Sequence, residues 1–242
     1  MEKSPILKKV KSDFLKLKND AISLIASPFN WDIDGINYFL SFLAVLTVCF
    51  FVDEFVREFI RTIHNDLFDQ IFSFAHWYGK PPLTIFSFLI FYFGGLFLTL
   101  ESFEGVHRNI PRGKDNFRAV GLKIFEAFIF SEIIVTIIKS IFGRWRPYTE
   151  YGSSSFVFFT LGPNNHLSLP AGDVAVAFSL SVIIAGIFEN KLWKIFWYLL
   201  AALTAVGRIY HYQHWLSDVL LTAFISIFVG LHINKQNKKR SK

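Results

Sequence analysis

Six mostly apolar stretches recur along the chain, at Ile36–Phe55, Pro82–Leu100, Ala119–Phe142, Ala171–Phe188, Leu192–Val206 and Trp215–Ile233. Most approach the ~20 residues that a helix needs to cross a bilayer. One buried core helix can be as apolar as these. Six of them in 242 residues leave too little polar sequence to cover a soluble globule. The pattern predicts an all-α polytopic membrane helix bundle of about six transmembrane helices over residues 31–234. Residues 1–30 precede it as a basic juxtamembrane segment. There Leu7, Val10, Phe14, Leu17 and Ile22 are spaced for an amphipathic helix on the inner membrane surface. Residues 235–242 form a short basic tail.

Composition agrees, with 52% hydrophobic residues and 30 Phe. The formal charge of +6 is unevenly spread. With a cytoplasmic N-terminus, the inner segments hold the lysine-rich start, Arg108, Arg112, Lys114, Arg118, Lys191, Lys194 and the basic end. The outer segments hold only Arg57, Arg61, Lys80, Arg144, Arg146 and Arg208, with Lys139 near a span end. This asymmetry predicts that both termini are cytoplasmic. The basic balance then reads as topology and attraction to anionic lipid, not as nucleic-acid binding. Cys49 is the single cysteine, so no intramolecular disulfide or cysteine metal site is expected. The first 20 residues are charged, so the first span is expected to act as an uncleaved insertion signal.

Charged residues inside such a chain are costly and mark candidate function. Three stretches, all on the predicted outer side, carry them. In Lys139–Pro147, Lys139, Arg144 and Arg146 bring cations to one helix end, and Arg146–Pro147 ends the span. In Leu169–Asp173, Gly172 allows close approach to a helix N-terminus suited to an anion, and Asp173 reads as a cap. In Gly207–Asp218, His214 and Asp218 are four residues apart, on one helical face. A carboxylate bonded to one ring nitrogen would leave the other as nucleophile or base. Arg208 and His211 lie near. The loop 143–170 joins the first two stretches and is long enough to suggest function. Glu132, two turns before Lys139, reads mainly as a structural residue. A short interfacial helix is expected within Val56–Pro81, where His64 and His76 read as surface histidines. His107 and His232 fall on the opposite side.

The spacings resemble those of the type 2 phosphatidic acid phosphatase family of membrane lipid phosphatases. The family pattern is K-x6-R-P, then P-S-G-H, then S-R-x5-H-x3-D. This chain has Lys139 with Arg146–Pro147, then Pro170-Ala171-Gly172-Asp173, then Gly207-Arg208, His214 and Asp218. The resemblance implies that Lys139, Arg146, Arg208 and Gly172 hold phosphate oxygens. It further implies that His214 forms a phosphohistidine, that Asp218 orients it, and that no metal or other cofactor takes part. Alanine, aspartate and glycine stand at positions 171, 173 and 207, where the family has serine, histidine and serine. An acidic residue at the second of these resembles the lipid A 1-phosphatase-like members. Asp173 then occupies the place of the acid that protonates the leaving group, with His166 or His211 as auxiliaries.

The resemblance implies a phosphatase in the cytoplasmic (inner) membrane of a bacterium, with its active site at the extracytoplasmic face. Its substrate would be a membrane lipid phosphate: undecaprenyl diphosphate, phosphatidylglycerol phosphate, phosphatidate or lipid A phosphate. Two alternatives stay open: lipid phosphotransfer through the same intermediate, and lipid-phosphate binding without turnover. The sequence leaves the oligomeric state open.

Overall fold

The computed structural model describes residues 5–101 and 117–240. His107 and the basic residues Lys3, Arg108, Arg112, Lys114 and Lys242 lie outside the described residues. Helices dominate: α1 (Pro5–Ala26), α2 (Ile33–Ile63), α3 (Asp66–Tyr78), α4 (Pro81–Glu101), α5 (Phe117–Phe142), α6 (Gly172–Ala185), α7 (Lys191–Tyr210) and α8 (Leu216–Arg240). No strand occurs among the described residues, and one isolated bridge, Arg144 to Phe156, ties the loop after α5.

Local chemistry sets several helix ends. Asp32, Asn65 and Asn190 cap α2, α3 and α7 by accepting from backbone N–H groups of the first turn. Gly79 ends α3, its N–H donating to the His76 carbonyl, and Pro81 opens α4. A Cβ on Gly79 would lie 2.6 Å from the Asp173 carbonyl oxygen, so glycine lets this corner press against the start of α6.

The core lies around α6, where Val174, Ala175, Ala177, Leu180 and Ile183 are almost fully buried. It packs on α5, α7 and α8. Small residues such as Ala175, Ala177 and Ala201 permit close helix approach, the usual device where lipid supplies no hydrophobic drive between helices.

Among the described residues, three helical segments are long and apolar enough to cross a membrane: α2, α7 and Leu216–Asn237 of α8. A fourth arises if α3 and α4, bent by 41° at their break, count as one broken span. The six apolar stretches thus all form helices, but not six equivalent ones. The first stretch continues to Ile63, and the expected interfacial helix is α3. The third, α5, carries Lys123, Glu126, Glu132 and Lys139. The fourth, α6, has 14 residues, about 21 Å of helix, well short of a ~30 Å hydrocarbon core. It is sheathed in protein, and the loop 143–171 lies before its N-terminal end.

The segment 5–26 is helical as the spacing predicts. Its polar face meets the bundle: Asp13 accepts from Tyr92 Oη at 2.8 Å and pairs with Arg118, and Lys16 bridges Asp20 and Glu126. Phe14, Ile22 and Ile25 stay exposed. Glu126 is thus held by α1. Ser23 and His232 meet 3.1 Å apart where α1 reaches the far end of α8.

Candidate active site

The C-terminal ends of α5 and α7 and the N-terminal ends of α6 and α8 gather at one end of the bundle, away from the contact of α1 with the end of α8. The three charged stretches meet there.

His214 sits in the turn between α7 and α8, 2% exposed. Its Nδ1 lies 2.7 Å from the Ser168 carbonyl oxygen. A carbonyl only accepts, so Nδ1 carries the proton and Nε2 keeps its lone pair. The ring is held well below its ordinary pKa, first by burial and then by the charges of Arg146, Lys139 and Arg208, with the Ser168 bond acting the other way. The result is a neutral imidazole beside three cations.

The carboxylate–imidazole bond expected from the spacing of His214 and Asp218 is replaced by a relay. Asp218 Oδ2 accepts from Ser168 Oγ at 2.5 Å and from Trp215 N–H at 2.9 Å. Ser168 therefore offers its hydroxyl to Asp218 and its carbonyl to His214. The physical reason lies in the start of α8: Asp218 turns back to cap its own helix through Trp215 N–H, which fixes the carboxylate away from the ring. Ser168, two residues before Pro170, was not singled out from sequence.

Arg144 takes the other side of Asp218. It is fully buried and donates to Asp218 Oδ1 at 2.6 Å, Asp53 Oδ2 at 2.7 Å, Ser217 Oγ at 2.7 Å and the Ser153 carbonyl at 2.7 Å. Of the three cations in the first stretch, Arg144 is thus a strut between α2, the loop and α8. Asp53 reaches it from the first apolar stretch and also accepts from Ser217 N–H at 3.0 Å.

Arg146 is clamped by the Asn164 carbonyl at 2.8 Å, Asn164 Oδ1 at 2.8 Å and Gln213 Oε1 at 2.9 Å, with the Gln213 carbonyl at 3.3 Å. These contacts hold its fork in place and leave part of it for an anion. Gly172 opens α6, and a Cβ there would lie 3.5 Å from Lys139 Nζ and 3.8 Å from Glu132 Oε2. Lys139 thus stands at the start of α6, where first-turn N–H groups lack helical partners. Glu132 stands beside it, its Oε1 buried without a hydrogen-bond partner.

Asp173 faces α7 and α3. Its Oδ2 lies 2.9 Å from Arg208 Nε and 3.7 Å from His76 Nδ1. Arg208 Nη1 lies 3.3 Å from the same ring nitrogen. His76, read as a surface histidine from sequence, is thus a member of the cluster. Position 207 faces α3 too: a Cβ on Gly207 would sit 3.1 Å from Phe72 Cβ. Two of the three departures from the family pattern therefore lie against α3.

The proposed auxiliaries have other neighbours. His166 is buried against Trp145, ring centroids 5.3 Å apart, with Nδ1 unpaired. His211 lies 3.8 Å from Asp69, and burial pushes its pKa down while Asp69 opposes.

A family model described as the PAP2 superfamily matches residues 120–242, the half of the chain that carries all three stretches. Two solved structures share the fold. LpxE of Aquifex aeolicus aligns with a TM-score of 0.53 and 22% identity over 76% of this chain and 95% of its own. A transmembrane PAP2-type phosphatidylglycerolphosphate phosphatase of Bacillus subtilis aligns with a TM-score of 0.58 and 16% identity, over 84% and 96%. No curated protein matches the sequence.

Proposed function

The chain belongs to the PAP2 superfamily, and from that premise we propose that it is an integral-membrane phosphatase acting on a phosphomonoester or diphosphate of a membrane lipid. The observation that carries this is the state of His214: a buried, neutral imidazole with Nδ1 tied to the Ser168 carbonyl, set among Lys139, Arg146 and Arg208.

In the proposed reaction, the Nε2 lone pair of His214 attacks phosphorus and the bond from phosphorus to the lipid oxygen breaks. The leaving oxygen takes a proton. Water then attacks the phosphohistidine, the N–P bond breaks, and phosphate leaves with His214 restored. Lys139, Arg146, Arg208 and the Gly172 N–H bind the phosphate oxygens, where fixed donors count most as charge builds. Phosphorylation makes the ring cationic, and the Ser168 carbonyl with Asp218 behind it favours that charge. Asp173 positions Arg208.

The solved relatives include a phosphatidylglycerolphosphate phosphatase, which keeps that lipid among the candidates with phosphatidate, undecaprenyl diphosphate and lipid A phosphate. The site and the contact of α1 with α8 lie at opposite ends of the bundle. This supports an inner-membrane protein with cytoplasmic termini and an extracytoplasmic site. The test is phosphate release by the purified chain from these four lipids without added divalent metal. Release by wild type and its loss, by at least about a thousandfold, in His214→Ala is the expected result. Full activity of that variant would refute the mechanism. Tight lipid binding without release would favour a binding protein, a role in keeping with the capture of Arg208 by Asp173.

A further inference from the structure

The proton for the leaving oxygen has no obvious source at the position where the family pattern carries histidine. Asp173 stands there, and in its ion pair with Arg208 it is an acceptor only. An imidazole is nevertheless present, brought by a different helix. His76 lies in the last turn of α3, its side chain 23% exposed. Its Nδ1 faces Asp173 Oδ2 at 3.7 Å and Arg208 Nη1 at 3.3 Å. A guanidinium N–H only donates, so Nδ1 accepts from Arg208 and the resting ring is neutral with its proton on Nε2, which has no partner among the described residues.

The backbone holds this ring in place by close packing. Gly79, three residues on, lets the end of α3 touch the Asp173 carbonyl, and Gly207 lets Phe72 lie against α7. Serine at 207 would press on Phe72. The departure at 207 is therefore coupled to the approach of α3, and the side chain at 173 meets His76 of that helix.

We propose that His76 is the general acid for the leaving group, with Asp173 as its positioning residue. This rests on the phosphatase reading above. A bound phosphate draws the Arg208 guanidinium to itself, and Nδ1 takes up a proton and turns it to Asp173. As the bond from phosphorus to the lipid oxygen breaks, the proton on Nε2 of this imidazolium passes to that oxygen, which leaves as the alcohol. Neutral His76 then takes a proton from the water that attacks the phosphohistidine. Protons and charge balance over the cycle. Burial first, and then the charge of Arg208 on α7, hold the ring below the ordinary histidine pKa, Lys80 after α3 and His211 after α7 act the same way, and Asp173 on α6 opposes them. The arriving phosphate adds negative charge on the same side.

An acid matters in proportion to the basicity of the leaving group. The full-length protein in detergent micelles is assayed on phosphatidate, whose alkoxide leaves poorly, and on 4-nitrophenyl phosphate, whose phenolate needs little help. In His76→Gln the ratio of kcat/KM for phosphatidate over the aryl ester falls about 100-fold. The double variant His76→Gln/Asp173→His returns an imidazole from the α6 side and regains part of that ratio. An unchanged ratio in His76→Gln overturns the proposal. So does an equal loss on both substrates that the double variant leaves unaltered, whether the cause is folding or binding. Failure of the phosphatase reading looks different: wild type cleaves neither substrate, or His214→Ala cleaves both.

Discussion

Two arginine–aspartate groups stand at the same end of this bundle and differ in nearly everything else. Around Arg144 both carboxylates, Asp53 and Asp218, are fully enclosed, and the guanidinium donates to four oxygen partners at 2.6–2.7 Å. The rings of Phe50 and Trp215 lie 4.6 and 5.3 Å from its centre. Around Arg208 the partners are Asp173 at 2.9 Å and His76 at 3.3 Å, both about one quarter exposed. The first group is wholly enclosed, with four of its five guanidinium N–H donors taken by protein, so it holds the fold. The second keeps open valence toward an anion, so chemistry is available to it. Enclosure, not charge, separates strut from site.

The largest expected effect comes from breaking the strut. Arg144→Ala leaves two buried carboxylates without their cation, a change that costs about 3–5 kcal/mol where a buried pair loses one partner. The thermal midpoint in detergent should fall sharply, and activity with it. An Arg144→Ala protein as stable as wild type would remove the distinction between the two groups. Arg208→Ala tests the other half. It removes one anion donor from a partly exposed place, so stability should change little while kcat/KM falls about 100- to 1,000-fold.

A pH profile gives a smaller effect with a definite sign. In the proposed mechanism His214 attacks in its neutral form, and burial and the neighbouring cations hold its pKa well below 6.5. Measured in His76→Gln, where the proposed acid no longer titrates, and corrected for substrate ionisation, kcat/KM should stay flat as pH drops from 8 to 6.5 and decline only well below that. For stability, both states are neutral above the unfolded value. As pH falls below about 6.5 the unfolded chain takes up the proton first, so this histidine lowers stability from there down to its folded pKa. An acid limb centred at or above pH 6.5 would mean that the ring is not buried among cations as described.

How much of this was legible beforehand follows sequence distance. His214, Asp218 and Arg208 lie within one short stretch, so nearness in sequence brought them together, although His214 sits in the turn before α8 and not on its face. The convergence of the three stretches at one end followed from counting apolar segments. The Arg144 strut was not legible, because Asp53 lies 91 residues away in an apolar segment and only packing of α2 on α8 makes them meet. His76 was missed for the same reason, at 132 residues from Arg208. The direct bond from Asp218 to His214 was a fair expectation from spacing. It failed because the carboxylate caps α8 and Ser168 stands between them. The number of spans depends on a bend at Gly79 and on α6 being sheathed by protein, and neither is written in hydropathy.

The smallest effect concerns the two positions where the family pattern carries serine, and here α3 makes them unlike. Gly207 faces Phe72 at a distance that a side chain could occupy only if α3 gives way. Gly207→Ser should therefore lose about 1 kcal/mol or more by overpacking and move His76 with the helix. Ala171 is different. It is the N-cap of α6, with extended backbone and no side-chain cap. Its own N–H is already satisfied by Thr222 Oγ1 at 2.7 Å. A serine hydroxyl there can accept from a first-turn N–H, worth about 0.5–2 kcal/mol, and still donate to a phosphate oxygen. Ala171→Ser should raise both the thermal midpoint and kcat/KM, the latter by up to about tenfold for one charge-assisted hydrogen bond. A gain in stability without a gain in rate would separate the cap from the donor. It would also place the phosphate farther from α6 than Lys139 and Gly172 suggest. A loss of both would show that the buried site lacks room for one oxygen, and that the alanine is there for packing.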